Sequence, residues 1–180
     1  MKATQLLKDQ HREVKELFGQ VQNTDDAEER RDLMEQITER LQTHMMIEES
    51  IFYPAVQEVA NSGKNEEMVP EAYEEHHVVK LILDALPDVD PEDERFTAKM
   101  TVLSELVDHH VQEEEKELFT AAEKLGNDRL EELGDEMEAE AGMSADDESE
   151  EDEEFEVDDE EVDDDEDDED DDYEARPARK

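Results

Sequence analysis

The chain has 180 residues, a formal net charge of −45 and no cysteine. The lack of cysteine excludes disulfide bonds and thiolate metal sites. The acidic charge argues against binding to nucleic acids or anionic membranes, because phosphate recognition needs basic surfaces. No segment has the roughly 18 to 20 apolar residues of a membrane span, and the first ten residues, MKATQLLKDQ, lack the apolar run of a signal peptide. We therefore expect a cytoplasmic protein.

Apolar residues recur at helical spacing along most of the chain, and no run alternates like a strand. The pattern predicts four helices, over residues 2–22, 27–54, 67–86 and 95–125. Such helices with short connections favour an all-α fold, an antiparallel up-down-up-down four-helix bundle. The bundle domain is predicted to cover residues 1–143, with its core in 1–125 and a possible short extra helix to residue 140. Pro54 should stop or kink the second helix, because proline lacks an amide proton and disfavours helix at the preceding residue.

Residues 144–180 form an acidic tail with 24 acidic and 3 basic side chains. Its few apolar groups cannot offset the chain entropy and its charges repel one another, so the sequence predicts disorder. The simplest role of an acidic body with an acidic tail is solubility, for example in a salt-rich cytoplasm. The alternative is a dedicated binding role toward a basic partner or loosely held divalent cations.

The second half of the chain repeats the first. An offset of 65 residues aligns HREVKELF, from His11, with HHVVKLIL, from His76. An offset of 66 residues aligns HMMIEESIFYPA, from His44, with HVQEEEKELFTA, from His110. Each half is therefore predicted to be one helical hairpin that carries the same polar residues at the same places.

Polar residues interrupt the apolar stripe of each predicted helix. The six that do so are His11, His44, Glu48, His76, His110 and Glu114. In the second and fourth helices the histidine and the glutamate are four residues apart, and this spacing places them side by side on one face of a helix. When the four stripes face a common axis, four imidazoles and two carboxylates converge in the interior.

Burial of two ionised carboxylates without partners is costly, so a positive charge is expected between them. Two divalent or trivalent metal ions, bridged by Glu48 and Glu114 and each bound by two histidines, satisfy the carboxylates and the imidazole nitrogens together. The donor set favours iron, with manganese and zinc as alternatives. It leaves coordination positions open for a small inorganic ligand such as oxygen, peroxide or nitric oxide.

Over about residues 1–125 the chain resembles the hemerythrin-like, HHE cation-binding family. The resemblance rests on the six polar residues named above and on the surrounding HMMIEESIFYP and HHVQEEEKELF. It implies a four-helix bundle that holds a non-haem di-iron centre. In that family the centre serves to bind dioxygen, to sense oxygen or iron, to handle peroxide or nitric oxide, or to store iron.

The sequence departs from the oxygen carriers of this family in two places. Those proteins carry a second histidine four residues after the third-helix ligand, where this chain has Lys80, and they end with a histidine and an aspartate five residues apart. Here the last pair is His110 with Glu114. The resemblance therefore favours a sensing, redox or iron-handling role over reversible oxygen carriage. The iron-sulfur repair branch has a similar ligand set, but its members add a cysteine-bearing N-terminal segment.

Other residues near these motifs are interpreted more simply. His77 and His109 are predicted on the helix surface or behind the ligands. Solvated helix-face charge is the expected role of Glu49, Glu75 and Glu115, with the alternative that they add a ligand or orient a histidine. Core packing is the expected role of Phe18, Met45, Met46, Phe52, Tyr53 and Phe119. Alternatively, Met45, Phe52 or Phe18 walls a pocket where a small ligand meets the metals.

Three classes of function follow from these observations. The first is a metal-binding module whose iron pair meets oxygen or a reactive relative, as a sensor, scavenger or store. The second is a redox enzyme that turns over peroxide or nitric oxide at the same centre. Its chemistry would be that of the metal and not of an acid-base side chain, since no nucleophile with an adjacent base is evident. The third is a metal-free acidic interaction protein that binds through its tail, whose partner the sequence leaves open.

Overall fold

A computed structural model gives the fold of residues 1–60 and 65–147, with side chains for 1–60 and 67–142. This part of the chain is helical apart from short connections and contains no strand, which confirms the predicted all-α class. Its α-helices are α1 (Ala3–Asn23), α2 (Ala27–Ile47), α3 (Tyr53–Val59), α4 (Asn65–Asp84), α5 (Glu94–Glu113), α6 (Phe119–Ala122) and α7 (Asn127–Asp147). None of these helices combines the length and the apolar character that crossing a membrane requires.

Two of the helical segments contain a π turn, in which backbone hydrogen bonds span five residues instead of four. Residues Glu48–Phe52 join α2 to α3 in this way, and Glu114–Leu118 join α5 to α6. A short 3-10 turn, Glu123–Leu125, then ends the second of these segments. Each π turn begins at the glutamate that the internal repeat singles out.

Pro54 does not end the second helical segment, so of the two predicted outcomes, a stop or a kink, the stop is wrong. The segment passes through the π turn into α3, where Pro54 occupies the first turn. The amide of Tyr53 donates to the carbonyl of Glu48. A proline cannot donate to the next carbonyl, that of Glu49, and this oxygen accepts the hydroxyl of Tyr73 at 3.0 Å instead. Because a side chain replaces the lost hydrogen bond, the proline is tolerated within the helix.

Polar residues and one glycine set the helix ends. Asp26 accepts a hydrogen bond from the amide of Glu29 at 2.9 Å, and Asp93 accepts one from the amide of Arg95 at 2.8 Å. These carboxylates satisfy amides that have no partner within their own helices, α2 and α5. Gly126, with a φ of 84°, turns the chain between the 3-10 turn and α7 in a conformation that favours glycine.

Two apolar clusters fill the interior. The first joins α1, α3, α6 and α7 to the end of α2, the two π turns and the start of α4, and it includes Leu7, Ile47, Phe52, Tyr53, Val56, Leu118, Phe119, Leu133 and Met137. The second lies among α1, α2, α4 and α5 and includes Val14, Phe18, Ile37, Leu41, Met45, Leu83, Phe96, Met100 and Leu103. Along α1, the buried His11 falls between Leu7 of the first cluster and Val14 of the second. Burial of the two clusters therefore positions a polar layer between them.

The helix α7 is longer than the short fifth helix that the sequence predicts. It extends to Asp147, four residues into the stretch predicted to be a disordered tail. Leu130, Leu133 and Met137 are buried in the first cluster, and this docked stripe stabilises a helix that good helix formers then prolong. The rest of the predicted tail and residues 61–64 lie outside the described residues.

The packing of α7 against the start of α1 predicts a difference between two glycines of α7. A Cβ at Gly134 would overlap the backbone of Met1 and Ala3, whereas a Cβ at Gly142 would meet open space. We expect Gly134→Ala to lower the free energy of unfolding by about 1–3 kcal/mol, the usual cost of overpacking. We expect Gly142→Ala to leave it unchanged or raise it by up to about 1 kcal/mol, because alanine is the better helix former. Urea unfolding followed by circular dichroism measures both, and equal effects would contradict the close packing at Gly134.

Candidate metal centre

The structure brings together the six side chains predicted as metal ligands, and all six are buried. Two groups of them have donor atoms within 4.8 Å of one another: His11, His44, Glu48 and Glu114 in the first, and Glu48, His76 and His110 in the second. Glu48 belongs to both groups. The arrangement therefore offers two neighbouring cation sites that share a carboxylate.

The four imidazoles meet in two pairs through their Nε2 atoms. The Nε2 atoms of His11 and His44 are 3.2 Å apart, and those of His76 and His110 are also 3.2 Å apart. A neutral imidazole has one nitrogen with a free lone pair. Two such nitrogens directed at the same small space form the arrangement of two ligands to one cation.

The two buried carboxylates connect the histidine pairs. Glu48 places Oε1 at 3.1 Å from His44 Nε2 and Oε2 at 3.2 Å from His76 Nε2, so it reaches one histidine of each pair. Glu114 places Oε2 at 3.2 Å from Nε2 of His11, which lies in the other half of the repeat. The sequence predicts Glu114 beside His110 of its own helix and as a bridge between the two ions; its close contact in the structure is with His11 of the other half.

The pKa values of the two buried carboxyl groups are shifted in opposite directions. Burial and the charge of Glu48 raise the pKa of Glu114 to about 7. Burial also acts to raise the pKa of Glu48, but the neighbouring His44 and His76 outweigh it and bring this pKa well below the ordinary value. Two buried carboxyl groups thus oppose each other's ionisation.

Unpartnered oxygens identify where a cation would fit. Within the described residues, Oε1 of Glu48 and both carboxylate oxygens of Glu114 are buried without a well-formed hydrogen bond. Two of these oxygens, Oε1 of Glu48 and Oε2 of Glu114, instead lie close to histidine Nε2 atoms. Buried polar atoms are normally satisfied. Carboxylate oxygens together with imidazole nitrogens are a suitable donor set for iron, manganese or zinc. The residues present therefore fit a metal centre.

The outer nitrogen of each imidazole is held by a further side chain. These contacts join His11 Nδ1 to Glu115 at 3.0 Å, His44 Nδ1 to Gln10 at 2.8 Å, His76 Nδ1 to Glu49 at 2.8 Å and His110 Nδ1 to Glu75 at 2.7 Å. A donating Nδ1–H leaves the lone pair on Nε2, directed into the centre. Such partners also raise the basicity of a ligating histidine and fix its orientation.

The interpretation of Glu49, Glu75 and Glu115 as solvated charges is wrong, because each contacts a buried histidine. The alternative, that they orient histidines, describes the structure. Gln10 has the same role toward His44, and this role was not predicted. The internal repeat contained the signal, since an offset of 65 residues aligns Gln10 with Glu75 and an offset of 66 aligns Glu49 with Glu115.

Two consecutive glutamates at the start of each π turn both contact one imidazole. Glu48 approaches Nε2 of His76 while Glu49 holds Nδ1 of the same ring. The second half repeats this arrangement, with Glu114 and Glu115 at the two nitrogens of His11. The two glutamates of each π turn thus contact both nitrogens of a histidine that belongs to the other half of the repeat. Widened turns of this kind are frequent at functional sites.

Tyr53 was predicted to pack in the core, and its hydroxyl also belongs to the centre. The hydroxyl lies 3.2 Å from His76 Nε2 and 3.3 Å from Glu48 Oε2. At the equivalent position of the second half, Phe119 stacks on the ring of His11, with centroids 6.1 Å apart. The two histidine pairs therefore have similar aromatic neighbours. The hydroxyl of Tyr53 lies beside His76, whereas Phe119 beside His11 has no hydroxyl.

Lys80 occupies the position where oxygen carriers have a further histidine. Its ammonium group binds both carboxylate oxygens of Glu49, at 2.8 and 2.9 Å. Lys80 thereby fixes the carboxylate that holds His76. Both remaining histidines, His77 and His109, are exposed.

An apolar cavity of about 20 Å³ adjoins the four imidazoles. Its other walls are formed by Gln10, Val14, Leu41, Met45, Val79, Val107 and Val111. Of the three residues predicted as alternative pocket walls, only Met45 lines this cavity. Phe18 instead faces a larger groove between α1 and α5, and Phe52 packs edge-on against Phe119.

An all-helical fold that gathers two histidine pairs and two carboxylates in its interior defines a cation-binding helical protein. The sequence profile of the hemerythrin HHE cation binding domain matches residues 2–122, and the chain belongs to this family. The crystal structure of a hemerythrin HHE cation binding domain-containing protein from Mycobacterium kansasii has the same fold. That structure aligns with a TM-score of 0.70 at 23% identity, covering 84% of this chain and 94% of the other.

A protein from Nostoc sp. strain PCC 7120 named DNA nickase is also similar in sequence. It is 28% identical over 130 residues, which are 72% of this chain and 36% of the cyanobacterial protein. The chain thus spans about a third of the length of that relative.

The contacts to the outer nitrogens predict that metal affinity depends on residues that are not ligands. We expect Glu115→Ala to weaken metal binding by about 10- to 100-fold, because His11 loses the partner that orients and polarises it. Glu115→Gln should have an intermediate effect, since the amide oxygen can still accept from Nδ1. Competition with a chromophoric chelator measures the affinity. Glu16→Ala, on the exposed surface of α1, is the matched control, and equal affinities of the two alanine variants would contradict the role of Glu115.

Proposed function

We propose that this protein binds a non-haem pair of iron ions. One ion would be held by His11, His44 and Glu114, the other by His76 and His110, with Glu48 shared between them. The single observation that carries the proposal is the placement of the two Glu48 oxygens at 3.1 and 3.2 Å from histidines of different pairs. Manganese and zinc are the alternative occupants, because the same donors suit them.

The surrounding architecture is proposed to be an antiparallel up-down-up-down four-helix bundle. Contacts between α1 and α2, α2 and α4, α4 and α5, and α5 and α1 support this arrangement, because they close a ring of four helices. Each helix of the ring contributes one of the four histidines, which suits a centre on the common axis.

The ligand of the proposed centre is a small inorganic molecule, of the class of oxygen, nitric oxide or peroxide. The cavity of about 20 Å³ beside the imidazoles is too small for an organic ligand, and its walls are mostly apolar. Bound iron supplies a redox-active ion with open coordination positions. The chain's own residues exclude bulk water and hold the imidazole tautomers. The role that follows is sensing, scavenging or handling of oxygen, of reactive oxygen or nitrogen species, or of iron.

DNA cleavage, suggested by the name of the cyanobacterial relative, is not part of this proposal. The formal net charge of −45 disfavours contact with the phosphate backbone. The predicted cytoplasmic location is retained as part of the proposal.

Metal analysis tests the two-ion centre directly. We expect the purified protein to bind two iron ions and to show the visible absorption of an oxidised iron pair. His44→Ala and His110→Ala should each lower the bound metal, because each removes a nitrogen from one histidine pair. His77→Ala, whose side chain is exposed, is the control and should retain two ions. Unchanged metal content in both His44→Ala and His110→Ala would refute the site. Repeated turnover of added peroxide or nitric oxide would assign the protein to the enzymes.

The position of the apolar cavity predicts the path by which nitric oxide reaches the iron in the reduced, iron-loaded protein. We expect Val14→Ile to slow binding by about tenfold or more, equivalent to about 1.4 kcal/mol in the barrier, since the extra methylene occupies the cavity. Val14→Ala enlarges the same space and should not slow binding. Stopped-flow absorbance measures the rates at equal iron content. Equal slowing by both substitutions, or by neither, would show that the ligand does not use this cavity.

A further inference from the structure

A second cluster of metal-ligand side chains lies on the surface beside the centre. Glu75, His109 and Glu113, here called the surface triad, place one donor atom each within 4.8 Å of one another. Nε2 of His109 lies 3.5 Å from Glu113 Oε1 and 3.9 Å from Glu75 Oε1. Donors bound to one first-row cation stand about 3 to 3.5 Å apart, given bonds of about 2.1 Å. Small side-chain movements would bring the triad to that geometry.

The surface triad is joined to the buried centre through Glu75. One oxygen of this carboxylate faces the exposed His109, and the other holds Nδ1 of His110 at 2.7 Å. The side chain of His109 is 64% exposed, so the triad is open to solvent at its outer side. A cation at the triad would therefore sit one carboxylate away from a proposed ligand.

A small acidic cavity continues from the triad to the centre. Its volume is about 30 Å³, and its polar lining residues are Glu71, Glu75, His110, Glu113, Glu114 and Glu117. This volume is about the share of one water molecule in the liquid. At the inner end Glu114 is 1% exposed. Its Oε2 lies 3.2 Å from Nε2 of His11, and its Oε1 has no partner within the described residues. A buried carboxylate with an unpartnered oxygen thus lines the same cavity as two members of the surface triad.

A larger opening beside the centre suits a cation less well. The groove between α1 and α5, about 790 Å³ in volume, reaches His11. Three basic residues line it, Lys8, Arg12 and Lys15, and they offset its acidic residues. A cation that leaves bulk water needs negative charge along its path, because desolvation of an ion is strongly unfavourable. The acidic cavity supplies that charge at each step.

We propose that the surface triad is an uptake site, which captures a divalent first-row cation and passes it through the acidic cavity to Glu114 and His110. The cation would exchange water first for Glu113 and His109, then for the carboxylates inside. The inference rests on the proposed two-ion centre and adds the route by which that centre is filled. It gives the exposed His109 a role that the centre itself does not require.

The rate of metal loading tests this route. The metal-free full chain is mixed with Co²⁺ in a stopped-flow instrument, and the visible absorption of bound cobalt is followed. We expect the double variant His109→Ala, Glu113→Gln to load about tenfold more slowly or worse, in line with the usual size of electrostatic steering. Its final cobalt content and spectrum should equal those of the wild type, because neither residue is a ligand in the centre.

Two controls separate the uptake route from a general effect of charge. Glu105→Gln removes an equal charge from the groove between α1 and α5, and Arg12→Gln removes a positive charge from it; both should load at the wild-type rate. Loading of the double variant at the wild-type rate would overturn the uptake site and leave the two-ion centre intact. A wild-type chain that binds no cobalt would overturn the centre itself.

Discussion

Two carboxyl groups must be kept away from water in the middle of this fold, and the rest of the structure is arranged around that requirement. Glu48 and Glu114 are 0% and 1% exposed. Isolated burial of such groups is strongly unfavourable. Four imidazoles face them, and each of these rings is held from behind by a carboxylate or an amide. Apolar clusters on either side along the helices provide the stabilisation that keeps this polar layer in place, and the proposed cations complete its balance of charge.

The helices and the six central residues could be predicted because both leave a periodic trace in the sequence. Apolar residues at helical spacing locate the segments to within a few residues. The repeat shows that the histidines and glutamates within the apolar stripes occur at equivalent positions in both halves. The π turns leave no comparable trace, since one widened turn barely disturbs a helical pattern. The role of the Tyr53 hydroxyl depends on a neighbouring helix, so it is hidden from any reading of its own segment. Gln10 and Glu75 illustrate the same point: a polar residue on a helix surface is ordinary until its partner across the interface is known.

The two halves share a polar core but differ in what surrounds it. Glu75 stands where the first half has Gln10, and Tyr53 stands where the second half has Phe119. Lys80 binds Glu49, whereas its counterpart Lys15 binds Asp108 at 3.1 Å. The repeat therefore produces two similar ligand pairs in unlike electrostatic environments. An inexact repeat of this kind can give two bound ions different affinities while one carboxylate still joins them.

Each π turn accommodates one residue more than an ordinary helical turn. This extra residue determines which face of the following helix points toward the core. A residue corresponds to about 100° of rotation around a helix. Loss of one residue within Glu48–Phe52 would turn the face of α3 away from the first apolar cluster, and the same holds for Glu114–Leu118 and α6. These two stretches can thus vary in side chains more freely than in length, so insertions and deletions should be rarer there than substitutions during the divergence of related chains.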